Sequence, residues 1–409
     1  MGLVNWAGSL TYRASALHIP TSIEEAQDLV AGLPRVKAIG TRHSFSTVAD
    51  SPGGALISLE GLDLDLDINQ EEQTARFTGA HSYAAVAAAL EAEGWALQNM
   101  GSLPHISVVG GTATGTHGSG DNNGILSTSI RAAELITATG ELRTVGEDHP
   151  DLAALAVGLG AFGVITRLTL AVQPSYQMRQ DVYRGAPWDT VLATFDEVMA
   201  SAYSVCLIGR FEAPTIGVAI LKSVVAPGDQ YNAPLGRFGG RWDPDPMPGE
   251  HHTERGGRPG PWHERLPHFR PNFPPSVGGD ELQSEYFVPR RHGVAALEAL
   301  RSMGDTIAPH LWATEIRTVA GDELWASPAY GRDSVCIGFT WKKHPDEVGR
   351  LMLDVEAALE PFEPRPHWGK LFRLTDLRSR FPKLSQHLEL AERYDPNGKF
   401  GSDFLTGRL

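Results

Sequence analysis

Gly158-Leu159-Gly160-Ala161-Phe162-Gly163 has the GxGxxG spacing of a dinucleotide-binding turn, and its reading decides the fold. In that motif the glycines leave a strand and open a helix, so that the helix N-terminus meets a pyrophosphate. Here the order is reversed. Asp151 to Val157 reads as helix, while Val164 to Val172 alternates apolar and polar residues like a half-buried strand and closes at Pro174. The glycines then form a helix stop and a tight turn, and a Rossmann fold with its NAD is excluded.

Outward toward the N-terminus, Arg131 to Val145 reads as a hairpin turned at Thr139-Gly140, and Ser82 to Glu93 as a helix. Leu62 to Ile68 alternates Leu and Asp as a strand with one wet face. Ala55 to Leu59 and Arg35 to Ile39 are short strands. Thr21 and Ser22 with Glu24 and Glu25 form a capping box opening a helix over Ile23 to Leu33. Outward toward the C-terminus the texture changes at about Tyr176. Residues 226–280 are rich in Pro, Gly, His and Arg without periodicity, and read as long ordered loops. Leu282 to Pro289, Thr314 to Thr318 and Ser334 to Lys342 return as strands. Helices are expected over Val294–Ser302 and Asp346–Leu359, the second started by Pro345. The stretch from Tyr394 to Leu409 is polar and turn-rich. Mixed helices, strands and hairpins give the α+β class.

A chain of 409 residues exceeds one ordinary core, so two domains are expected. Its 42% hydrophobic and 21% charged residues are those of a folded globular protein. A formal net charge of −14 repels phosphate backbones and anionic membranes, and suits a neutral or cationic small substrate. Cys206 and Cys336 lie far apart in apolar settings and read as buried packing residues. Met1 to Leu10 lacks the pattern of a signal peptide, and no stretch approaches the ~20 apolar residues of a spanning helix. The expected compartment is the cytoplasm.

Three segments carry chemistry. Gly40-Thr41-Arg42-His43-Ser44-Phe45-Ser46 directly follows a strand. A sharp turn there aims successive N–H groups at a phosphate, with His43 beside the bound group; a polar turn with a satisfied histidine is the plainer reading. Gly110-Gly111-Thr112-Ala113-Thr114-Gly115-Thr116-His117-Gly118-Ser119-Gly120 has no long side chain, so its backbone can lie flat against a ligand. A flexible linker, the alternative, seldom follows a segment as specific as Ser102-Leu103-Pro104-His105-Ile106-Ser107. In the back half, Glu315 and Arg317 stand two apart on a strand and face the same way. With Thr340 and the His367-Trp368-Gly369-Lys370 segment they supply a carboxylate, a guanidinium, a hydroxyl and an amine, the inventory for holding a polyhydroxylated ligand. A surface ion pair between Glu315 and Arg317 is the alternative that periodicity leaves open. His251-His252, Glu254 and His263 invite a metal, but their spacing matches no helix-borne zinc pattern and no metal is expected.

Taken together, these residues resemble the vanillyl-alcohol-oxidase-type flavoproteins, and among them the bacterial alditol (xylitol) oxidases. The likeness runs from Asn5-Trp6-Ala7-Gly8 through the three segments above. It continues in Trp262-His263-Glu264-Arg265-Leu266-Pro267-His268-Phe269, Leu282-Gln283-Ser284-Glu285-Tyr286, Glu315-Ile316-Arg317-Thr318-Val319 and Asp395-Pro396-Asn397-Gly398-Lys399-Phe400. It implies a two-domain, PCMH-type FAD-binding fold. Residues 1–175 with the tail 380–409 would bind FAD, and residues 176–379 would form an antiparallel-sheet substrate (cap) domain. His43 would bond the flavin 8α carbon. Gly40, Thr41, Arg42, Ser44 and Phe45, with Ser107, Gly110, Gly111, Thr112, Ala113, Thr114, Gly115, Thr116 and His117, would hold the cofactor, and Ile165 and His367 would also contact it. Ser102, Glu315, Arg317, Thr340 and Lys370 would line the polyol site. One departure stands out: Thr41 and Arg42 occupy positions before the linking histidine where many members carry small residues. Arg42 either pairs with a phosphate or points to solvent.

The activity so implied is alditol oxidation. A hydride leaves the terminal carbinol of xylitol, sorbitol or a similar alditol for the flavin, a proton leaves its hydroxyl, and two electrons pass to O2, giving an aldose and hydrogen peroxide. Arg317 and Lys370 suit the growing alkoxide, and Glu315 and Ser102 the neighbouring hydroxyls. Lys370 or a water accepts the proton. Gly101 is expected beside the flavin face that oxygen attacks, its missing Cβ leaving the approach open; a plain turn residue is the alternative. An aldonolactone oxidase or dehydrogenase is the alternative enzyme, and a non-catalytic carbohydrate-binding flavoprotein the alternative of another class. The expected partners are a small polyol and O2, with no nucleic acid and no membrane, for a monomer or small homo-oligomer.

Overall fold

The computed structural model describes residues 2–226, 228, 232–244 and 249–409, so Met1 and parts of the loop-rich 226–280 stretch lie outside the described residues. The first helix, Ile23–Gly32, starts as its residues dictate. Ser22 Oγ accepts from the Glu25 N–H at 3.1 Å, and the Glu25 carboxylate reaches back to the Thr21 N–H at 2.8 Å. Gln27 on this helix donates to the carbonyl of Gly140, the tip of the predicted hairpin, whose φ of 88° suits glycine alone. The hairpin strands, Ile130–Ile136 and Leu142–Gly146, join Val164–Ala171, Thr74–Thr78 and Leu66–Asn69 in a five-stranded antiparallel sheet. The strand expected from Leu62 pairs only from Leu66, which lies opposite Phe77, one residue before the partner strand ends at Thr78. Residues 62–65 keep the alternation without the ladder, Leu62 being buried in the neighbouring core. A small parallel sheet of Ala16–His18, Ala55–Ile57 and Val36–Ala38 packs alongside. Gly158–Gly163 does link a short helix, Leu152–Leu155, to the strand from Val164.

Among the described residues, the back half is built on a ten-stranded antiparallel sheet. Its centre runs Gln177–Pro187, Thr215–Val225, Ser204–Gly209, Leu311–Val319, Ser334–Trp341, Leu282–Pro289. The first three of these strands were not anticipated. Gln177–Pro187 is buried on both faces over most of its length, and it hides an Arg179–Asp181 ion pair at 2.8 Å, so hydrophobic alternation is missing where the strand is most regular. The sheet is two-faced. Leu207, Ile316, Ile337 and Tyr286 point into an apolar core shared with the helices Gly293–Ser302 and Pro345–Leu359, the Tyr286 hydroxyl bonding Glu356 at 2.8 Å. Residues of the opposite parity, Glu315 and Arg317, Gly338 and Thr340, Gln283 and Glu285, line a cavity between this sheet and the front half.

The polar C-terminal stretch returns to the front half. The Lys399 carbonyl accepts from the Val36 N–H at 2.9 Å, and Phe400, 1% exposed, packs with Val36, Ile57 and Val164. The tail also contains the helix Leu384–Tyr394; its Leu390 packs beside the five-stranded sheet, whereas Leu384 and Phe404 join the core of the large sheet. Cys206 and Cys336 are buried, unpaired thiols. Among the described residues, no helix is long and apolar enough to cross a membrane.

Candidate active site

One cavity collects the three segments singled out by sequence. Its first wall is the turn after Val36–Ala38. Arg42 takes the left-handed conformation, φ 61°, and is exposed, which throws the chain over so that His43 comes inward. Thr41 Oγ1 lies 3.0 Å from His43 Nδ1 and accepts from the Ser107 N–H at 2.9 Å, so a residue that departs from the small-residue pattern ties two walls together. His43 stacks on Trp6 at 5.4 Å between ring centroids. Burial, aided by His105 and Arg42, pulls its pKa down to about 4, so at neutral pH the ring is uncharged and keeps a free electron pair. The Phe45 N–H donates to the Gly369 carbonyl at 2.7 Å, fastening this turn to the back-half segment.

The second wall corrects an expectation. Part of the glycine run is not a loop: Val108–Ala113 forms a short helix with Ser107 at its N-cap. Glycine is required at two points of contact, since a Cβ on Gly40 would fall 2.1 Å and one on Gly110 2.6 Å from Ser107 Oγ. Gly110, Gly111, Ala113, Thr114, Thr116 and His117 line the cavity, as do Ser44, Ser107, Ile165 and His367. Thr112 and Gly115 face away from it. The Thr112 hydroxyl bonds back to Val108 O at 3.0 Å, and Gly115 packs against Pro328. Gly158–Gly163, rejected as a Rossmann turn, nonetheless contributes to the wall. Beside it Lys37, its pKa lowered by burial to about 8, donates to the carbonyls of Leu159, Gly160 and Phe400.

The third wall is the polar face of the large sheet. Arg317, whose side chain is only 7% exposed, donates to Glu315 Oε2 at 2.7 Å and to Ser102 Oγ at 2.5 Å, which removes the surface-ion-pair reading. Thr340 and Lys370 complete this end. His367 accepts from the Gly369 N–H at 3.0 Å, and burial holds its pKa down to about 3. Gly101 borders the cavity; a methyl there would stand 3.5 Å from the His117 carbonyl, an ordinary contact. The sequence reading gave no role to Glu285 or Tyr12. Glu285 pairs with Lys370 at 2.9 Å, and its signal was its parity with Gln283 opposite the Thr340 strand. Tyr12 lines the cavity with a buried hydroxyl that has no partner among the described residues. His251, set aside as a metal ligand on sequence, packs its ring on His252 and Phe269.

An orphaned phenol, main chain left bare by glycine against Ser107 and an uncharged histidine on the wall fit a long polar cofactor such as FAD. Comparison with known proteins agrees. An FAD-binding domain model matches residues 14–146, and a D-arabinono-1,4-lactone oxidase model matches residues 280–407. An alditol oxidase of Streptomyces sp. is 42% identical over 415 residues, covering 100% of this chain and 99% of that protein. An L-gulono-1,4-lactone dehydrogenase of Mycobacterium tuberculosis is 29% identical, covering 98% of this chain and 97% of that one. Two solved cholesterol oxidases share the fold. One, described as solvent-stable, has a TM-score of 0.79 at 15% identity, covering 99% of this chain and 97% of that one. The other, from B. sterolicum, has a TM-score of 0.81 at 13% identity, covering 100% and 96%. With an alditol oxidase matched from end to end and an FAD-binding model over residues 14–146, the chain belongs to the alditol oxidase family of vanillyl-alcohol-oxidase-type, FAD-dependent oxidoreductases.

Proposed function

We propose that the protein oxidises the terminal carbinol of an alditol, such as xylitol or sorbitol, to the aldose, with FAD tethered through His43 and O2 reduced to hydrogen peroxide. The observation that carries this reading is that Ser102, Glu315, Arg317, Thr340 and Lys370 share one cavity with the His43 turn and the glycine run. Its closeness to an alditol oxidase over the full chain supports it. Residues 1–175 with the tail 380–409 hold the cofactor on this reading, and residues 176–379 cap it. Bound FAD supplies the hydride acceptor and the route of electrons to O2. The chain's own residues bind and orient. Arg317 and Lys370 place two cations beside a hydroxyl oxygen that must shed its proton, where fixed charge in a dry site is most effective. Glu315 and Ser102 fix the guanidinium and offer further partners to neighbouring hydroxyls. The protein works on this reading in the cytoplasm, as a monomer or small homo-oligomer.

A second reading, oxidation of an aldonolactone, is favoured by the lactone oxidase model over residues 280–407. Anaerobic mixing with xylitol, sorbitol and aldono-1,4-lactones separates the two. Flavin bleaching by the alditols, with peroxide released in air, is the expected result. Bleaching by lactones alone transfers the assignment to the second reading, and no bleaching leaves a carbohydrate-binding flavoprotein.

A further inference from the structure

Glu285 lies midway along Leu282–Pro289, the second strand from one edge of the large sheet, 4% exposed and directly opposite Gly338 on the neighbouring strand. Its Oε2 receives Lys370 Nζ at 2.9 Å and faces His117 Nε2 at 3.3 Å. The other nitrogen of His117, Nδ1, lies 2.8 Å from the Gly118 carbonyl, an oxygen that can only accept. The two partners come from the His367–Lys370 segment and from the glycine run, so one carboxylate joins the substrate end of the cavity to its cofactor wall. Other groups near the carboxylate are His367, Arg317 on the strand Leu311–Val319, and the Cys336 thiol on Ser334–Trp341. Burial by itself would push the Glu285 carboxyl up, but Lys370 and His117 draw it well below the usual carboxylate range. It is therefore an anion held in the interior. The space for it is specific as well, since a Cβ on Gly338 would come within 3.2 Å of Glu285 Oε1.

We propose that Glu285 is a positioning residue for the alcohol oxidation assigned above, holding the Lys370 amine as a charged donor aimed into the cavity. A lysine is a flexible four-carbon stem with three donors, and without an anchor its head samples many positions. The inference rests on the alditol oxidase reading only for the substrate, and not for the ion pair.

The test has two arms, both on the FAD-loaded protein. In the first, Lys370 is acylated with acetic anhydride at one fixed pH, and the modified peptide is quantified by mass spectrometry. Glu285→Gln should label several-fold faster than wild type, because an amine no longer gripped by a carboxylate 2.9 Å away is free to swing toward the reagent. Glu285→Asp, which keeps the charge, should label near the wild-type rate. Equal labelling in wild type and Glu285→Gln overturns the proposal, and so does faster labelling in both variants, which would make packing the cause. If Glu285→Gln does not fold, Glu285→Ala removes the carboxylate altogether and should raise labelling several-fold; no rise overturns the proposal. In the second arm, xylitol should bleach Glu285→Gln at least tenfold more slowly than wild type, with FAD content unchanged. Failure of xylitol to bleach the wild type sinks the substrate reading alone, because the labelling arm still judges Glu285.

Discussion

An uncharged imidazole is what a covalent tether needs, since only a ring with a free electron pair can attack carbon. His43 meets that condition by burial against Trp6 and beside His105. Wild-type protein precipitated in acid should keep its yellow colour and fluoresce on a denaturing gel, whereas His43→Ala should release all its flavin; release from the wild type disproves the tether. Arg317 tests the other end. Its buried, charged hydrogen bonds are worth roughly 1.5–3 kcal/mol each. Arg317→Ala should therefore lower kcat/KM for xylitol at least ~10-fold without loss of FAD, and unchanged kinetics would remove it from the site. Gly101 has room for a methyl at ordinary contact distance. Gly101→Val should slow reoxidation of the reduced protein by O2 more than reduction by xylitol, and equal slowing would reduce Gly101 to a turn residue. His43 and Gly101 stand out in the sequence because each sits in or beside a short segment whose composition is odd for a loop, and Arg317 because it shares a strand face with Glu315. Glu285 and Tyr12 do not, because a single carboxylate on a strand and a single tyrosine near the start of the chain look like any others until the strands are paired.

Elements defined by local chemistry were read closely. The capped helix Ile23–Gly32, the hairpin around Gly140 and the helix at Pro345 follow from residues within a few positions of each other. The strand Gln177–Pro187 follows from a partner that reaches Val225, and its buried polar residues erase the alternation that would have marked it. The helix Leu384–Tyr394 carries a separate consequence. Its His387 is 1% exposed, neither ring nitrogen has a partner among the described residues, and burial lowers its pKa from 6.5 to about 4. The unfolded chain takes up this proton near pH 6.5, the folded chain only near pH 4. The stability it contributes is thus complete above pH 6.5 and is lost as the pH falls toward 4. By pH 5 the loss is about 2 kcal/mol, at ~1.4 kcal/mol per unit. In urea titrations at pH 7 and pH 5, His387→Leu should shrink the difference in unfolding free energy by about that amount; an unchanged difference would mean the ring is protonated in the fold.

At the scale of the molecule, the two-faced sheet is what turns a fold into an enzyme. One parity of residues buries itself under helices and makes the sheet rigid, while the other parity is free to be polar and faces the cofactor wall across the cavity. The cofactor wall is itself completed from far away. Lys37 Nζ and the Phe400 carbonyl are bonded across 363 positions of chain, and Phe400 fills the core beneath the strand that leads into the His43 turn. Contacts of such separation form late in folding, because the chain must first lose the entropy of closing a very long loop. Renaturation should therefore run in order: the antiparallel sheets collapse and restore tryptophan fluorescence, and affinity for FAD returns only when the 395–400 segment has docked. In stopped-flow refolding, flavin uptake should lag the tryptophan signal, and Phe400→Ala should lengthen the lag while sparing the earlier phase. Simultaneous recovery in the wild type would show that the front half assembles without its last strand of support. On this account the slowest motion the chain ever makes is the one that shuts the flavin chamber, and the protein becomes an oxidase only at the end of its own folding.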